Sequence, residues 1–321
     1  MHPQSLKQQS IRNLRRFLEE NEFLENFSNL LVTSAAIEPY IDPLKVNNYY
    51  LPTSPEFALK KALAFEPMDV KGIYEIAHAF RDDPVSSYHS KEFTMIEWYK
   101  KNIKYTELPD FLTLIINYLL EKIPSENLAA NFTKNIHHIS IKDLFKSILK
   151  INLQANWPLK EYEKLAQKNN IHCKISNLDI DSLIKNEYLK SEIFTVIFDN
   201  LIQPHLKEMN ICYVYDFPPF LRGMAELSDT GWAKRVECFI EGLEIASGYQ
   251  EMSDPKEIQN LWENNNLIRK AMGKEIHPLD EMVIETAPKM KNVSGMALGL
   301  ERLLMKLYTI NSIQFFKHSS F

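Results

Sequence analysis

The sequence predicts an α+β fold: an antiparallel β-sheet flanked by helices, with a helical insertion. Three observations carry this expectation. The stretch Gly72–Tyr99 alternates two side-chain sets on either side of a polar loop, a long hairpin. A second alternating stretch, Val236–Asp254, turns at Glu241-Gly242. Between and around them lie segments with apolar residues at helical spacing.

In chain order, Leu6, Ile11, Leu14, Phe17 and Leu18 mark an amphipathic helix that begins almost at the N-terminus. In TSPEFALKKALAF, Thr53 or Ser54 is placed to cap a second helix, Pro55 fits its first turn, and Glu56 can close a capping box. In the central hairpin, Tyr74, Ile76, His78 and Phe80 share one side of the first strand, and Asp82–Ser90 has loop composition. On the second strand Phe93, Met95, Glu97 and Tyr99 share a face, so a carboxylate sits where a core strand would carry another apolar residue. Arg81, at the strand end, is placed either to pair with Glu97 or an Asp, or to grip a phosphate or carboxylate bidentately. Residues 105–205 read as a helical insertion, and the adjacent His137 and His138 diverge in either conformation. If Glu241-Gly242 is a two-residue turn, Phe239 pairs with Glu244, and Glu237 and Glu244 become neighbours on one face. Two carboxylates so close form either a solvated acidic face or an oxygen site suited to magnesium and phosphate oxygens. In SGMALGLERLLMKL a strand ends at Gly299 and a helix starts at once, which puts Arg302 in its first turn, where a polyphosphate would be favoured.

Composition narrows the function classes. A 321-residue chain with 45% hydrophobic and 25% charged residues can bury a proper core, and a net charge of −5 advertises no bulk attraction to nucleic acid. Three cysteines without C-x-x-C spacing suit a reducing compartment, with the cytoplasm as the default. No apolar run reaches the length of a membrane span. Only eight glycines are present, and Gly242, Gly248, Gly295 and Gly299 fall in the two C-terminal segments.

Taken in order, FRDD…HSKEFTMIEWY, GMALGLER, TSPE and LEIASGYQEMSD resemble the motifs of the class II aminoacyl-tRNA synthetase catalytic domain, lysyl branch. Within that branch the chain is most similar to truncated paralogues that attach β-lysine to elongation factor P. The resemblance implies a class II synthetase-type sheet forming a single catalytic domain over 1–321, with the helical insertion at about 105–205. It implies ATP and Mg2+ as cofactors. Arg81 would bind the α-phosphate and the substrate carboxylate, with Asp82, Asp83, His89 and Ser90 on the same ATP-binding loop. Phe93 would stack under the base, Arg302 would cover its other face, and Ile245 and Gly299 would border the nucleotide. Glu237 and Glu244 would hold the metal. Ser54, Pro55, Glu56 and Ala297 would border the amino acid, while Glu97, Tyr99 and Glu251 would enclose the distal ammonium of lysine or β-lysine.

The resemblance also implies a homodimer. Because the first helix begins by residue 5, no anticodon-binding barrel is expected before it, which favours elongation factor P over tRNA as acceptor; Ala297, where the tRNA-charging enzymes usually have Gly, agrees. A stand-alone enzyme acylating tRNA or another amine, and a catalytically silent regulatory paralogue, stay open. Asn29 stands at the family's interface proline, Arg81-Asp82-Asp83 replaces Arg-Asn-Glu, and Ser87 and Tyr88 leave no arginine before His89. Ser90 and Ser247 replace asparagines.

Overall fold

The computed structural model describes residues 2–35, 37–67, 69–123, 135–173 and 178–317. Its strands are β1 (Phe23–Glu25), β2 (Lys45–Val46), β3 (Tyr49–Tyr50), β4 (Gly72–Phe80), β5 (Glu92–Lys101), β6 (Ile136–Ser140), β7 (Ile211–Phe217), β8 (Ala233–Ile240), β9 (Leu243–Gln250) and β10 (Val293–Gly299). Eight of them form one sheet in the order β1-β4-β5-β10-β9-β8-β7-β6, while β2 and β3 form a separate ribbon. The β1–β4 and β6–β7 pairs at the two ends are parallel and the rest antiparallel. This is the α+β, class II synthetase-type sheet flanked by helices that the sequence predicts.

Alternation along the strands explains why the two faces differ. Tyr74, Ile96, Trp98, Met296, Val236 and Cys238 point to one side, where helices Pro3–Glu20, Leu108–Lys122 and Leu300–Leu307 bury them. Leu6, Leu14, Leu18, Leu112, Ile116, Leu300 and Leu304 supply the helical side of this core, at the spacing the sequence shows. The opposite face is covered only at its ends. Helix Glu56–Phe65 packs Leu59 and Leu63 against Ile73, Tyr99 and Val293. At the other end, Tyr162, Phe194 and Phe198 pack with Cys212, Val214 and Phe239. The gap between the two coverings leaves cavities over the middle strands β5, β10, β9 and β8.

Within the segment read as helical from sequence, Leu108–Lys122, Leu159–Lys168 and Ser182–Ile197 are helices, but Ile136–Ser140 is the edge strand β6. His138 there hydrogen-bonds through Nδ1 with the Tyr215 hydroxyl at 2.8 Å. Helix Glu56–Phe65 also starts two residues later than a capping box closed by Glu56 requires. Pro55 is its N-cap, and no side chain caps it. Thr53 instead donates to Ala35 O, and the Glu56 side chain turns into the protein rather than back onto the helix end.

The β8–β9 hairpin turns at Glu241-Gly242, with Ile240 opposite Leu243 and Phe239 opposite Glu244. Both turn residues have positive φ (47° and 76°), as a two-residue hairpin turn demands. Beyond Glu244 the register shifts: Cys238 pairs with Ala246 and Glu237 with Ser247, so Ile245 is an extra, bulged residue. This bulge decides which residues face the gap. Without it Ala246 and Gly248 would continue the Glu244 face; with it Ser247 and Tyr249 do.

Candidate active site

Sheet register lays the candidate residues in rows across the middle strands. One row runs Glu97, Ala297, Ser247, Glu237 and the next Tyr99, Gly295, Tyr249, Arg235. The glycine in the second row has a steric reason, because a Cβ at Gly295 would lie 2.3 Å from the Tyr99 ring.

Two adjoining cavities open over these rows. The first, of about 110 Å³, is lined by Arg81, Asp83, His89, Ser90, Phe93, Ile245, Gly299 and Arg302. The second, of about 250 Å³, is lined by Ser54, Glu56, Glu97 and Tyr99, together with Glu38, Arg235 and Tyr249. Arg81, Met95, Glu244, Ser247 and Ala297 line both, so they form the shared wall. Of the remaining predicted residues, Asp82 turns away to an exposed ion pair with Lys91. Pro55 borders neither cavity, Glu237 lines a neighbouring one with Glu244, and Glu251 lies behind the second cavity at 2% exposure.

On the first cavity's side the cations are held lightly. Arg81 Nε donates to Thr53 O at 3.3 Å, its guanidinium lies 5.3 Å from the Phe93 ring centre, and it makes no ion pair among the described residues. Burial depresses its pKa, while Glu244 and Asp83 favour its charge. Arg302, in the first turn of Leu300–Leu307, donates to Tyr88 O (3.1 Å) and Glu244 O (3.2 Å) and meets His89 Nε2 at 2.9 Å. Since Arg302 can only donate, His89 Nε2 accepts, and Nδ1 carries the proton toward Ser86 Oγ at 3.1 Å. Burial and Arg302 hold His89 below the usual histidine range. The preceding residue, Glu301, is buried and accepts from Thr94 N at 3.1 and 3.0 Å. That bond ties the helix to β5.

The second cavity ends among acidic groups. Glu97 is 3% exposed; one oxygen accepts from the Tyr99 hydroxyl at 2.5 Å, and Oε2 has no hydrogen-bond partner among the described residues. Burial, then the nearby Glu56, push its carboxyl up to about 8. Glu56, Glu97 and Glu251 do converge, but around a residue that sequence reasoning did not single out. Lys60 Nζ is 2.6 Å from Glu56 Oε1 and 2.5 Å from Glu251 Oε2. Its ammonium also lies 5.8 and 5.3 Å from the ring centres of Tyr99 and Tyr249. Despite complete burial, Glu251 and Glu56 hold Lys60 above the usual lysine range. The Tyr249 hydroxyl donates to the same Glu56 oxygen. The signal was present: Glu56 and Lys60 stand four apart on one helix. Glu38, also missed, sits in an irregular segment without a period to read. Burial raises it, and Arg235 opposes.

The metal expectation rests on Glu237 and Glu244. Burial, opposed by Arg235, pushes Glu237 up to about 7, with Glu244 adding to the rise. Arg235 Nη2 covers Glu237 Oε1 at 2.6 Å. Among the described residues no group of three or more His, Cys, Asp or Glu is arranged to hold a metal. Two carboxylates on one face, one of them already paired with Arg235, nevertheless offer oxygen ligands of the kind magnesium takes when phosphate and water complete its shell.

No helix of the described residues is long and apolar enough to cross a membrane. The family model for tRNA synthetases class II (D, K and N) matches residues 4–316. Among curated proteins, elongation factor P–(R)-β-lysine ligases of Salmonella arizonae, Salmonella dublin and Salmonella paratyphi B are each 26% identical over 317 residues, covering 94% of this chain and 90% of the relative. Two adjoining cavities that share a wall at Arg81 can hold two reactants side by side, as adenylate formation requires, and with the match across nearly the whole length the chain belongs to the class II tRNA synthetase family and is an aminoacyl-adenylate-forming ligase.

Proposed function

We propose that this ligase adenylates lysine or (R)-β-lysine and transfers it to a lysine side chain of elongation factor P. The observation that carries the reading is the second cavity, with a cation, Arg81, at the wall shared with the first and buried carboxylates at the far end. An amino acid lying along it puts its carboxylate on Arg81 and its amines against Glu56 and Glu97. The names of the similar curated proteins support β-lysine as substrate and elongation factor P as acceptor.

ATP fits the first cavity with its adenine on Phe93 beneath Arg302, and Asp83 at the exocyclic amine. Ile245 and Gly299 border it; Ser90 and His89 lie along the loop. In the first step a substrate carboxylate oxygen attacks the α-phosphorus. A C–O–P bond forms, the bond from that phosphorus to the bridging oxygen breaks, and pyrophosphate leaves with the electron pair. No acid or base is needed, because the nucleophile is already an anion. Arg81 holds nucleophile and α-phosphate together and neutralises the charge that builds between them. Arg302 reaches the departing phosphates by exchanging its neutral acceptors for phosphate oxygens. Magnesium, when bound, supplies further positive charge to those oxygens, and Glu237 and Glu244 are the residues that would hold it. In the second step the acceptor amine, having lost a proton, attacks the carbonyl carbon; the amide forms and AMP leaves.

Large apolar side chains near edge strand β1 (Phe27 81%, Leu30 47% and Leu31 51% exposed) favour a homodimer as the working form. Pyrophosphate exchange with a panel of amino acids tests the reading. Exchange with lysine or β-lysine, abolished in Glu244→Gln, supports it; no exchange with any diamino acid ends it.

A further inference from the structure

Glu56, Glu97 and Glu251 gather at one end of the second cavity, more carboxylates than the two amines of a diamino acid can answer. Lys60 answers two of them from below. It is 2% exposed and reaches Glu56 and Glu251 at 2.6 and 2.5 Å. Glu251 is 2% exposed and does not line the cavity, whereas Glu56 does. With Oε1 of Glu56 committed to Lys60 and the Tyr249 hydroxyl, its other oxygen is left for the substrate. Glu97 Oε2, buried and without a hydrogen-bond partner among the described residues, is the remaining unmet acceptor on the cavity wall.

We propose that Lys60 is a positioning residue for diamino-acid recognition: its ammonium fixes Glu56 and Glu251, so that the substrate's distal ammonium is directed to Glu97. A purely structural role explains less. Buried charges are costly to keep, and an apolar residue of similar volume in place of such a group is often as stable. A lysine whose cost is spent on orienting a carboxylate in the cavity wall has a reason to be charged. The inference rests on the ligase reading above.

The test compares Lys60→Met, which keeps the volume and removes the charge, with Lys60→Ala, which leaves space for a small cation. Folding is checked by thermal melting, and lysine-dependent pyrophosphate exchange is measured at varied lysine and varied ATP. Lysine KM should rise about tenfold or more in both variants, while ATP KM and kcat stay within about threefold. Ethylammonium added to Lys60→Ala should restore the lysine KM, and ethanol should not. An unchanged lysine KM in folded Lys60→Met, a loss confined to kcat, equal rescue by ethanol, or failure of both variants to fold would make Lys60 structural and overturn the proposal. Should the unmodified protein show no exchange with any diamino acid, it is the ligase reading that has failed.

Discussion

The two cavities meet at Arg81 but handle charge in opposite ways. On the nucleotide side, Arg302 rests on two backbone carbonyls and a neutral histidine, and Arg81 on one carbonyl at 3.3 Å. These are weak acceptors that a phosphate oxygen displaces, since charge-assisted bonds are roughly twice as strong as neutral ones. On the amino-acid side, charges are settled before any substrate arrives: Lys60 is clamped by two carboxylates, and Tyr99 and Tyr249 hydroxyls occupy one oxygen each of Glu97 and Glu56. A site that must seize a polyanion keeps its cations available. One that must tell amines apart keeps most of its anions committed and leaves an oxygen each of Glu97 and Glu56 open on the cavity wall.

The comparison breaks most sharply at the shared wall. Arg81→Ala should lower kcat/KM for pyrophosphate exchange by about 10²- to 10³-fold, the cost of removing one preorganised group from charge developing in a transition state. Its melting temperature should move little, because among the described residues one long hydrogen bond and a contact with the Phe93 ring hold the guanidinium, with no ion pair. A large fall in stability would mean that Arg81 is structural. Next in size, Gly295→Ala should cost about 1–3 kcal/mol in chemical denaturation, as the new methyl forces the Tyr99 ring aside. Because Tyr99 orients Glu97, lysine KM should rise while ATP KM holds; equal changes in both would detach Tyr99 from the recess. The smallest effect belongs to Asp82→Ala. Its exposed pair with Lys91 is worth less than about 1 kcal/mol, and exchange should stay within about twofold. A loss beyond tenfold would put Asp82 back in the nucleotide site.

What was legible in the sequence follows the same division. The β4–β5 hairpin could be read from alternation alone, and with it the common face of Phe93, Met95, Glu97 and Tyr99. The turn at Glu241-Gly242 and the pairing of Phe239 with Glu244 were also readable, since turn chemistry fixes register locally. The bulge at Ile245 was not, because a period of two carries no mark of an inserted residue. Yet that bulge brings Ser247 and Tyr249 round to the cavity. Thr-Ser-Pro-Glu fits a capping box as well as an amino-acid site, and only tertiary structure shows Glu56 drawn to Lys60 in place of the helix end. Lys60 itself looks like any lysine on an amphipathic helix. Its burial depends on Met224, Tyr249 and Glu251, all more than a hundred residues away.

The central claim, that a recess with one unmet carboxylate receives the substrate's distal ammonium, is tested most directly by calorimetric titration with lysine in buffers of different ionisation enthalpy. Burial, then the nearby Glu56, raise the Glu97 carboxyl of the free protein to about 8, so it still holds proton at pH 7, and an ammonium docking on it lowers its pKa. Binding should therefore release protons at pH 7 and tighten as pH rises from there, with Glu97→Gln abolishing the release and norleucine, which lacks the distal amine, failing to bind. Lysine binding without proton release, or norleucine binding as tightly as lysine, would contradict the account.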